Sequence, residues 1–387
     1  MIPYSRQSIS ITDIFYVIKS LKSNYLSQGP MVTLFEENLT KFCNVKFGVS
    51  TSSATGALHI ACLALGVGKG DYVWTSATSF VASANSAIYC GAKVDFIDID
   101  PLTMNISIDF LRNKLNDAST KGKLPKVVIP VHFAGQSCEM SQLQELSSEF
   151  GFKILEDASH ALGGSYSGNI VGSCKYSDIT VFSFHPVKSI TTGEGGFATT
   201  NSPDLIEKMR LLRSHGIERN SSNFDLRASD EIWNYQQKVL GYNYRMSDIN
   251  ASLGVTQISK IDRFISKRNK IAQGYHKSLI KLGLIPQKIL ENIFSSYHLY
   301  TVRVEMSNFG KSQSQVYKML REFGIEANLH YIPIHLQPYY EKMGFKRGDF
   351  PESEKFFREV ISLPIYPRLK KSQQNYIVEK LQKIKEY

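Results

Sequence analysis

From about residue 47 to residue 200, short β-rich apolar runs alternate with stretches in which apolar side chains recur every three or four positions. That alternation is the pattern of parallel strands joined by crossover helices. Strands are predicted at 47–49, 72–75, 93–97, 127–131, 153–155, 179–183 and 196–199, with helices at 54–65, 79–89 and 140–150. Beyond Gly254 the texture changes to a long basic helix, an isolated Val/Tyr-rich strand at 297–305, a helix near 313–323 and a closing helix from 372. Residues 217–242 show no clear period and are expected to form an extended loop or arm. The expected architecture is therefore α/β, a large domain of mainly parallel sheet over residues 1–250, N-terminal segment included, and a smaller α+β domain over 251–387.

Composition narrows the function classes. A chain of 387 residues with 42% hydrophobic and 21% charged side chains is too long for a lone binding module and too apolar for general disorder. The net charge of +10 invites a nucleic-acid partner. Its location argues otherwise, because residues 260–281 and 368–387 carry all of the excess. Both segments place isoleucines or leucines at helical spacing, so each reads as the solvated face of an amphipathic helix, with attraction of an anionic substrate as the lesser alternative.

The five cysteines are widely spaced and form no CxxC pair, which supports neither a disulfide framework nor a zinc knuckle. The opening residues lack the pattern of a signal peptide, and no apolar run approaches the ~18 residues of a membrane helix. A soluble cytoplasmic protein with no membrane and no nucleic-acid partner is expected.

In open α/β sheets ligands bind beyond the carboxyl ends of the strands, so polar residues just past an apolar strand are the candidates. Residues 52–58, SSATGAL, place small side chains and the Thr55 hydroxyl at a helix start, which suits a phosphate and equally suits a plain helix cap. Asp157 follows strand 153–155 in EDASH, where a carboxylate also commonly caps a turn. Lys188 follows strand 179–183 and the turn at Pro186, among Phe182, Phe184, Val187 and Ile190, whose desolvation would bring an ammonium toward the nucleophilic range. GEGG at 193–196 has neither the ending of a P-loop nor the spacing of a dinucleotide fingerprint, and His132, Cys138, His160 and His185 show no metal-ligand spacing. No metal is expected. An anion cradle, a strand-end carboxylate and a desolvated lysine together are what pyridoxal 5'-phosphate requires, for its phosphate, its pyridine nitrogen and its aldehyde.

At these residues the sequence resembles the DegT/StrS family of sugar aminotransferases, vitamin B6 enzymes of the aspartate-aminotransferase fold. The likeness runs nearly end to end and is carried by SSATGALHIA (52–61), TSFVASANS (78–86), EDASHALGG (156–164), FSFHPVKSITTGEGG (182–196), RSHG (213–216), GYNYRMSDINASLG (241–254), HYIPIHLQPYY (330–340) and LPIYP (363–367). The resemblance implies that Lys188 is the Schiff-base lysine and Asp157 the partner of the pyridine nitrogen. It implies that Phe80 lies over the cofactor ring and that Ala54, Thr55 and Ser183 surround its phosphate. Asn243 is similar to an asparagine supplied from the neighbouring subunit, which implies a homodimer with shared active sites. Some members replace the lysine with histidine and act as dehydratases, and Lys188 argues against that here.

Within the family the sequence is similar to enzymes that aminate C4 of a UDP-4-keto-6-deoxy-N-acetylhexosamine for pseudaminic acid-type glycans, with L-glutamate as donor. Tyr4, Asn24, Tyr25, Leu26, Ser27, Asn328, Leu329, His330 and Tyr331 match their nucleotide-sugar contacts. The alternatives are amination at C3 or of a dTDP or GDP sugar, or a non-catalytic basic regulator on the same fold.

Overall fold

The computed structural model describes residues 1–225 and 233–386. Its centre is a sheet of seven strands: β1 (Phe47–Thr51), β2 (Tyr72–Ser76), β3 (Lys93–Ile97), β4 (Val127–Ile129), β5 (Lys153–Asp157), β6 (Ile179–Ser183) and β7 (Gly196–Thr200). They lie in the order β1-β7-β6-β5-β4-β2-β3. From β6 to β3 every neighbour is parallel, while β7 runs antiparallel to both β6 and β1. Parallel neighbours need crossovers, and here these are helices on the two faces of the sheet, except between β5 and β6, where the connection carries a short hairpin (Ser165–Tyr166 with Asn169–Ile170).

The helices of this part are α1 (Ile11–Leu21), α2 (Pro30–Cys43), α3 (Ala54–Ala64), α4 (Ala82–Tyr89), α5 (Ile108–Thr120), α6 (Met140–Phe150), α7 (Pro203–Arg213) and α8 (Asp248–Ile258). Alternation along each strand sends side chains to opposite faces. Val73, Val127, Ile129 and Leu155 meet Leu58 and Ala61 of α3 and Met209 of α7. Trp74, Val128 and Ile154 meet Leu111 and Leu115 of α5 and Leu143 and Leu146 of α6. Burying each large side chain of these layers contributes about 1.5–3 kcal/mol, which fixes the register and hence which residues leave the sheet at its carboxyl edge. A third layer packs Phe182, Phe184 and Phe197 against Phe35 and Leu39 of α2 and Val255 of α8.

The second lobe surrounds a small antiparallel sheet, β8 (Ile285–Pro286), β9 (Tyr300–Arg303) and β10 (Val360–Leu363), in that order. Helices α9 (Ile261–Lys281), α10 (Gln313–Glu322) and α11 (Lys371–Glu386) close its core around Tyr275, Leu279, Val302, Leu320, Ile361 and Leu381. Ile2 joins the same core, and its backbone pairs in parallel with Ile325. The start of the chain is thus built into the lobe formed by its end.

Several elements differ from the pattern-based expectation for local reasons. The strand expected at 127–131 stops at Ile129 because Pro130 has no N–H to give, though Val131 still bridges Asp157. The strand expected at 297–305 is confined to Tyr300–Arg303, since Tyr297 has a left-handed backbone at φ 47°. Helix α9 is not simply a solvated basic face: Arg268 is fully buried, and its Nη1 donates to the carbonyls of Tyr297 (3.3 Å), His298 (3.0 Å) and Ile365 (3.0 Å). Of the expected arm at 217–242, residues 226–232 lie outside the described residues, and the flanking Ile217–Glu218 and Gln236–Gln237 pair as a short antiparallel ribbon.

Helix α1 leaves Ile11, Ile14, Phe15, Ile18 and Leu21 exposed along one stripe. The five cysteines are free thiols. Among the described residues no helix is long and apolar enough to cross a membrane, and no cluster of His, Cys, Asp or Glu could hold a metal ion.

Candidate active site

A cavity of about 430 Å³ opens at the carboxyl edge of the sheet, between the lobes. Tyr4, Ala54, Thr55, Phe80, Asp157, Ser183, Lys188, His330 and Tyr331 all line it. A larger groove of about 1110 Å³ runs between α9 and the segment around β8, but it is lined by Lys277, Lys288, Ile280 and their neighbours and contains none of the candidate residues. The candidate residues gather in the smaller space.

Lys188 rides the loop that joins β6 to β7. Because those strands are antiparallel, both ends of the loop are anchored side by side: Ser183 is paired with Gly196, and the Phe184 N–H donates to the Gly195 carbonyl (2.9 Å). Glycine is required at 196, where a Cβ would come within 2.5 Å of the Ser53 backbone. That close approach brings β7 against the start of α3. The Lys188 N–H donates to the His185 carbonyl (2.9 Å), and the Ser5 hydroxyl donates to the Val187 carbonyl (3.0 Å), so the N-terminal segment holds the loop from outside. Burial lowers the Lys188 pKa from 10.5 to about 8, with the negative charge of Asp157 opposing the fall.

Asp157 ends β5 and is buried. Its Oδ1 accepts the Ser159 N–H (3.1 Å) and its Oδ2 accepts the Ser83 hydroxyl (2.6 Å). Its neighbour Glu156 points to the other face of the sheet and is spent there: it accepts from His132 (2.6 Å), Ser177 and Thr180 (2.8 Å). Burial raises the Glu156 pKa, but those donors outweigh it and hold the carboxyl below its usual value. Strand alternation thus separates a structural carboxylate from the one facing the cavity.

At the start of α3, Ser53 caps the helix by accepting the Gly56 N–H (3.1 Å). The N–H groups of Ala54 and Thr55 belong to the first turn, where no intrahelical acceptor exists, and they sit at the positive end of the helix dipole. Together with Ser183 they form a cradle fit for a phosphate.

The opposite wall is aromatic. The His160 Nδ1 accepts the Ala134 N–H (3.3 Å), so the neutral ring carries its proton on Nε2 and donates to the Tyr331 oxygen (3.0 Å). His160 also lies 4.4 Å from His298 and is stacked 6.0 Å from Tyr331, centroid to centroid. Burial, then the charge of Lys188, drives His160 well below an ordinary imidazole and His330 to about 3. His298 falls well below as well, through burial first and then the neighbouring His160. Burial pushes the phenols of Tyr331 and Tyr4 upward. The wall therefore presents neutral imidazoles and neutral phenols around one titratable amine.

Of the other candidates, Asn328 reaches the Tyr4 phenol with its side chain and Leu329 packs beside Tyr4 and Tyr331, so both sit behind the cavity wall. Asn24, Tyr25, Leu26 and Ser27 lie outside the cavity, on the turn after α1 that is pinned to the start of α8: Ser27 bridges Ser247, and the Asp248 N–H donates to the Leu26 carbonyl (3.0 Å). Asn243 also lies outside it, bridging Ser214. Ser83 and His298 are not singled out by the sequence, and His160 is weighed there only as a metal ligand and set aside. His160, three residues past Asp157 on the same strand exit, carried a positional signal. His298 carried none, because only the docking of the two lobes brings it in.

The description "DegT/DnrJ/EryC1/StrS aminotransferase family" matches residues 7–382. The chain belongs to that family. A Campylobacter jejuni UDP-4-amino-4,6-dideoxy-N-acetyl-beta-L-altrosamine transaminase is 36% identical over 98% of this chain and 96% of its own. Among solved structures, Helicobacter pylori PseC, an aminotransferase involved in the biosynthesis of pseudoaminic acid, superposes with a TM-score of 0.90 at 31% identity, covering 100% of this chain and 99% of that one. The PLP-form structure of Spr1654 from Streptococcus pneumoniae gives 0.88 at 30% identity, covering 100% and 98%. The protein is a sugar aminotransferase of the aspartate-aminotransferase fold that depends on pyridoxal phosphate.

The residues present fit that cofactor: a half-buried lysine amine, a buried carboxylate and uncommitted N–H groups at a helix start all face one cavity. The bound cofactor supplies an electron sink for the carbon that loses its proton.

Proposed function

We propose that this aminotransferase moves an amino group from L-glutamate to C4 of a UDP-4-keto-6-deoxy-N-acetylhexosamine, in the formation of pseudaminic acid-type surface glycans. The observation that carries the reading is Lys188, an amine with a pKa of about 8 enclosed among neutral rings and facing Asp157. Such an amine is neutral often enough at physiological pH to take a proton, and basic enough to return it. In this reading Lys188 would hold the cofactor's aldehyde end and would move the proton in both half-reactions. Asp157 would hold the ring nitrogen, the cradle of Ala54, Thr55 and Ser183 would take the phosphate, and Phe80 would pack on the ring. Tyr4, His330 and Tyr331 line the side where the sugar enters, with Asn328 and Leu329 behind them. Similarity to the Campylobacter enzyme supports the sugar and the C4 position.

The enzyme works as a cytoplasmic homodimer with shared active sites. Two features support this: the apolar stripe of α1 is exposed among the described residues, and Asn243, with residues 24–27, lies outside its own chain's cavity. The free thiols suit a reducing compartment.

The test is to incubate the purified enzyme with L-glutamate and a panel of nucleotide ketosugars, reading products by mass spectrometry and NMR, beside Lys188→Ala. The expected result is a 4-amino UDP sugar from the wild type and none from the variant. A C3 product, or preference for a dTDP or GDP sugar, would replace the substrate assignment. Turnover by Lys188→Ala at the native rate would remove Lys188 from the chemistry.

A further inference from the structure

Ser83 stands in the first turn of α4, wholly buried, between the turn that carries Phe80 and the carboxylate of Asp157. A serine has one proton to donate. Three oxygens lie within reach of the Ser83 Oγ: Asp157 Oδ2 at 2.6 Å, Ser79 Oγ at 2.8 Å and the Phe80 carbonyl at 3.4 Å. The carboxylate is both the nearest and the charged acceptor, and charge-assisted bonds are the stronger ones. The Ser83 proton therefore goes to Asp157. The Ser79 hydroxyl then donates to the Ser83 oxygen, and the two serines form a chain of donors ending on the carboxylate. With Ser159 N–H on the other oxygen, Asp157 is held at both ends and cannot rotate without breaking a bond.

We propose that Ser83, backed by Ser79, is a positioning residue for the transamination: it fixes the orientation of the Asp157 carboxylate as acceptor of the cofactor's ring N–H. The assignment rests on the reading of Asp157 as the ring-nitrogen partner. Ser79 and Phe80 are consecutive, so one short turn sets both the carboxylate at the edge of the ring and the aromatic side chain at its face. The device ties α4 to β5 across the cavity floor through polar contacts that a purely apolar turn would lack.

Three variants test it: Ser83→Ala, Ser83→Cys and Asp157→Asn. Three readouts are taken: the pyridoxal phosphate dissociation constant of the apoprotein by equilibrium dialysis, the pH midpoint of the bound cofactor's visible absorption, and the single-turnover rate with L-glutamate. Losing a hydrogen bond to a charged group is worth on the order of tenfold to a hundredfold. For Ser83→Ala that loss is expected in cofactor affinity and in the single-turnover rate, with the pH midpoint displaced toward that of Asp157→Asn. Ser83→Cys, a weaker donor of similar volume, should fall between alanine and wild type, and it carries the same test should the alanine variant fail to fold.

A Ser83→Ala enzyme with the native midpoint overturns the proposal even if its rate falls, because a merely structural serine would slow turnover without touching the cofactor's titration. If Asp157→Asn is slow while Ser83→Ala matches wild type, the proposal alone fails. If Asp157→Asn itself reacts at the native rate, the reading of Asp157 fails and takes the proposal with it.

Discussion

The acidity of Lys188 can be measured without the cofactor. In the folded apoprotein its pKa of about 8, against the ordinary 10.5, means that about one side chain in ten is neutral at pH 7 rather than about three in ten thousand. That is a gain of about 300-fold in the nucleophilic form. Trace acetylation with acetic anhydride, read peptide by peptide by mass spectrometry, should give Lys188 a reactivity midpoint near pH 8. In Asp157→Asn the midpoint should move lower still, because the carboxylate's charge is what holds it up. Removing the acid thus makes the lysine more reactive as a free amine while slowing transamination, two effects of opposite sign from one change. The sign on stability follows by linkage. Between pH 8 and 10.5 the unfolded chain keeps the proton that the folded apoprotein has released, so stability rises with pH across that window, by about 3 kcal/mol in full. Below pH 8 both states are protonated and the desolvation cost is fully present. A Lys188 midpoint at the ordinary lysine value, or an upward displacement in Asp157→Asn, would refute the reasoning.

Two further outcomes follow from other parts of the chain. Arg268→Ala leaves the carbonyls of Tyr297, His298 and Ile365 without their shared donor and should cost about 3 kcal/mol in urea unfolding, since each buried acceptor loses its bond; an unchanged midpoint would mean that solvent replaces the guanidinium freely. The double change Phe15→Glu with Ile18→Glu, on the exposed stripe of α1, should convert a dimer to a monomer in sedimentation equilibrium with the far-ultraviolet circular dichroism preserved; a variant that stays dimeric would move the subunit interface elsewhere.

The strands of the central sheet were legible because each is short and apolar, and all but β5 and β6 are followed by a helix, as in β2, α4 and β3. The candidate residues Lys188, Asp157, Ala54 and Thr55 were legible for a related reason. Each stands at the end of a strand or within five residues beyond it, and a parallel sheet gathers its strand ends along one edge. What could not be read depended on contacts far apart in the chain. His298 reaches the cavity only through the docking of the two lobes, and Arg268 looks like any other charge of a basic helix until its three carbonyl partners, from residues 297, 298 and 365, are assembled around it. The different fates of Glu156 and Asp157 are set by alternation across the sheet, yet which face opens on the cavity is decided by the helices packed outside it.

The reversed strand β7 has one more consequence. Its pairing with β6 clips the Lys188 loop at both feet, and the Ser5 hydroxyl pins it midway, so the peptide beneath the amine is a fixed mounting. In the proposed role of Lys188, any travel of the proton between donor and acceptor carbons is left to the lysine's own methylene tether, swinging like a crane arm from a bolted base.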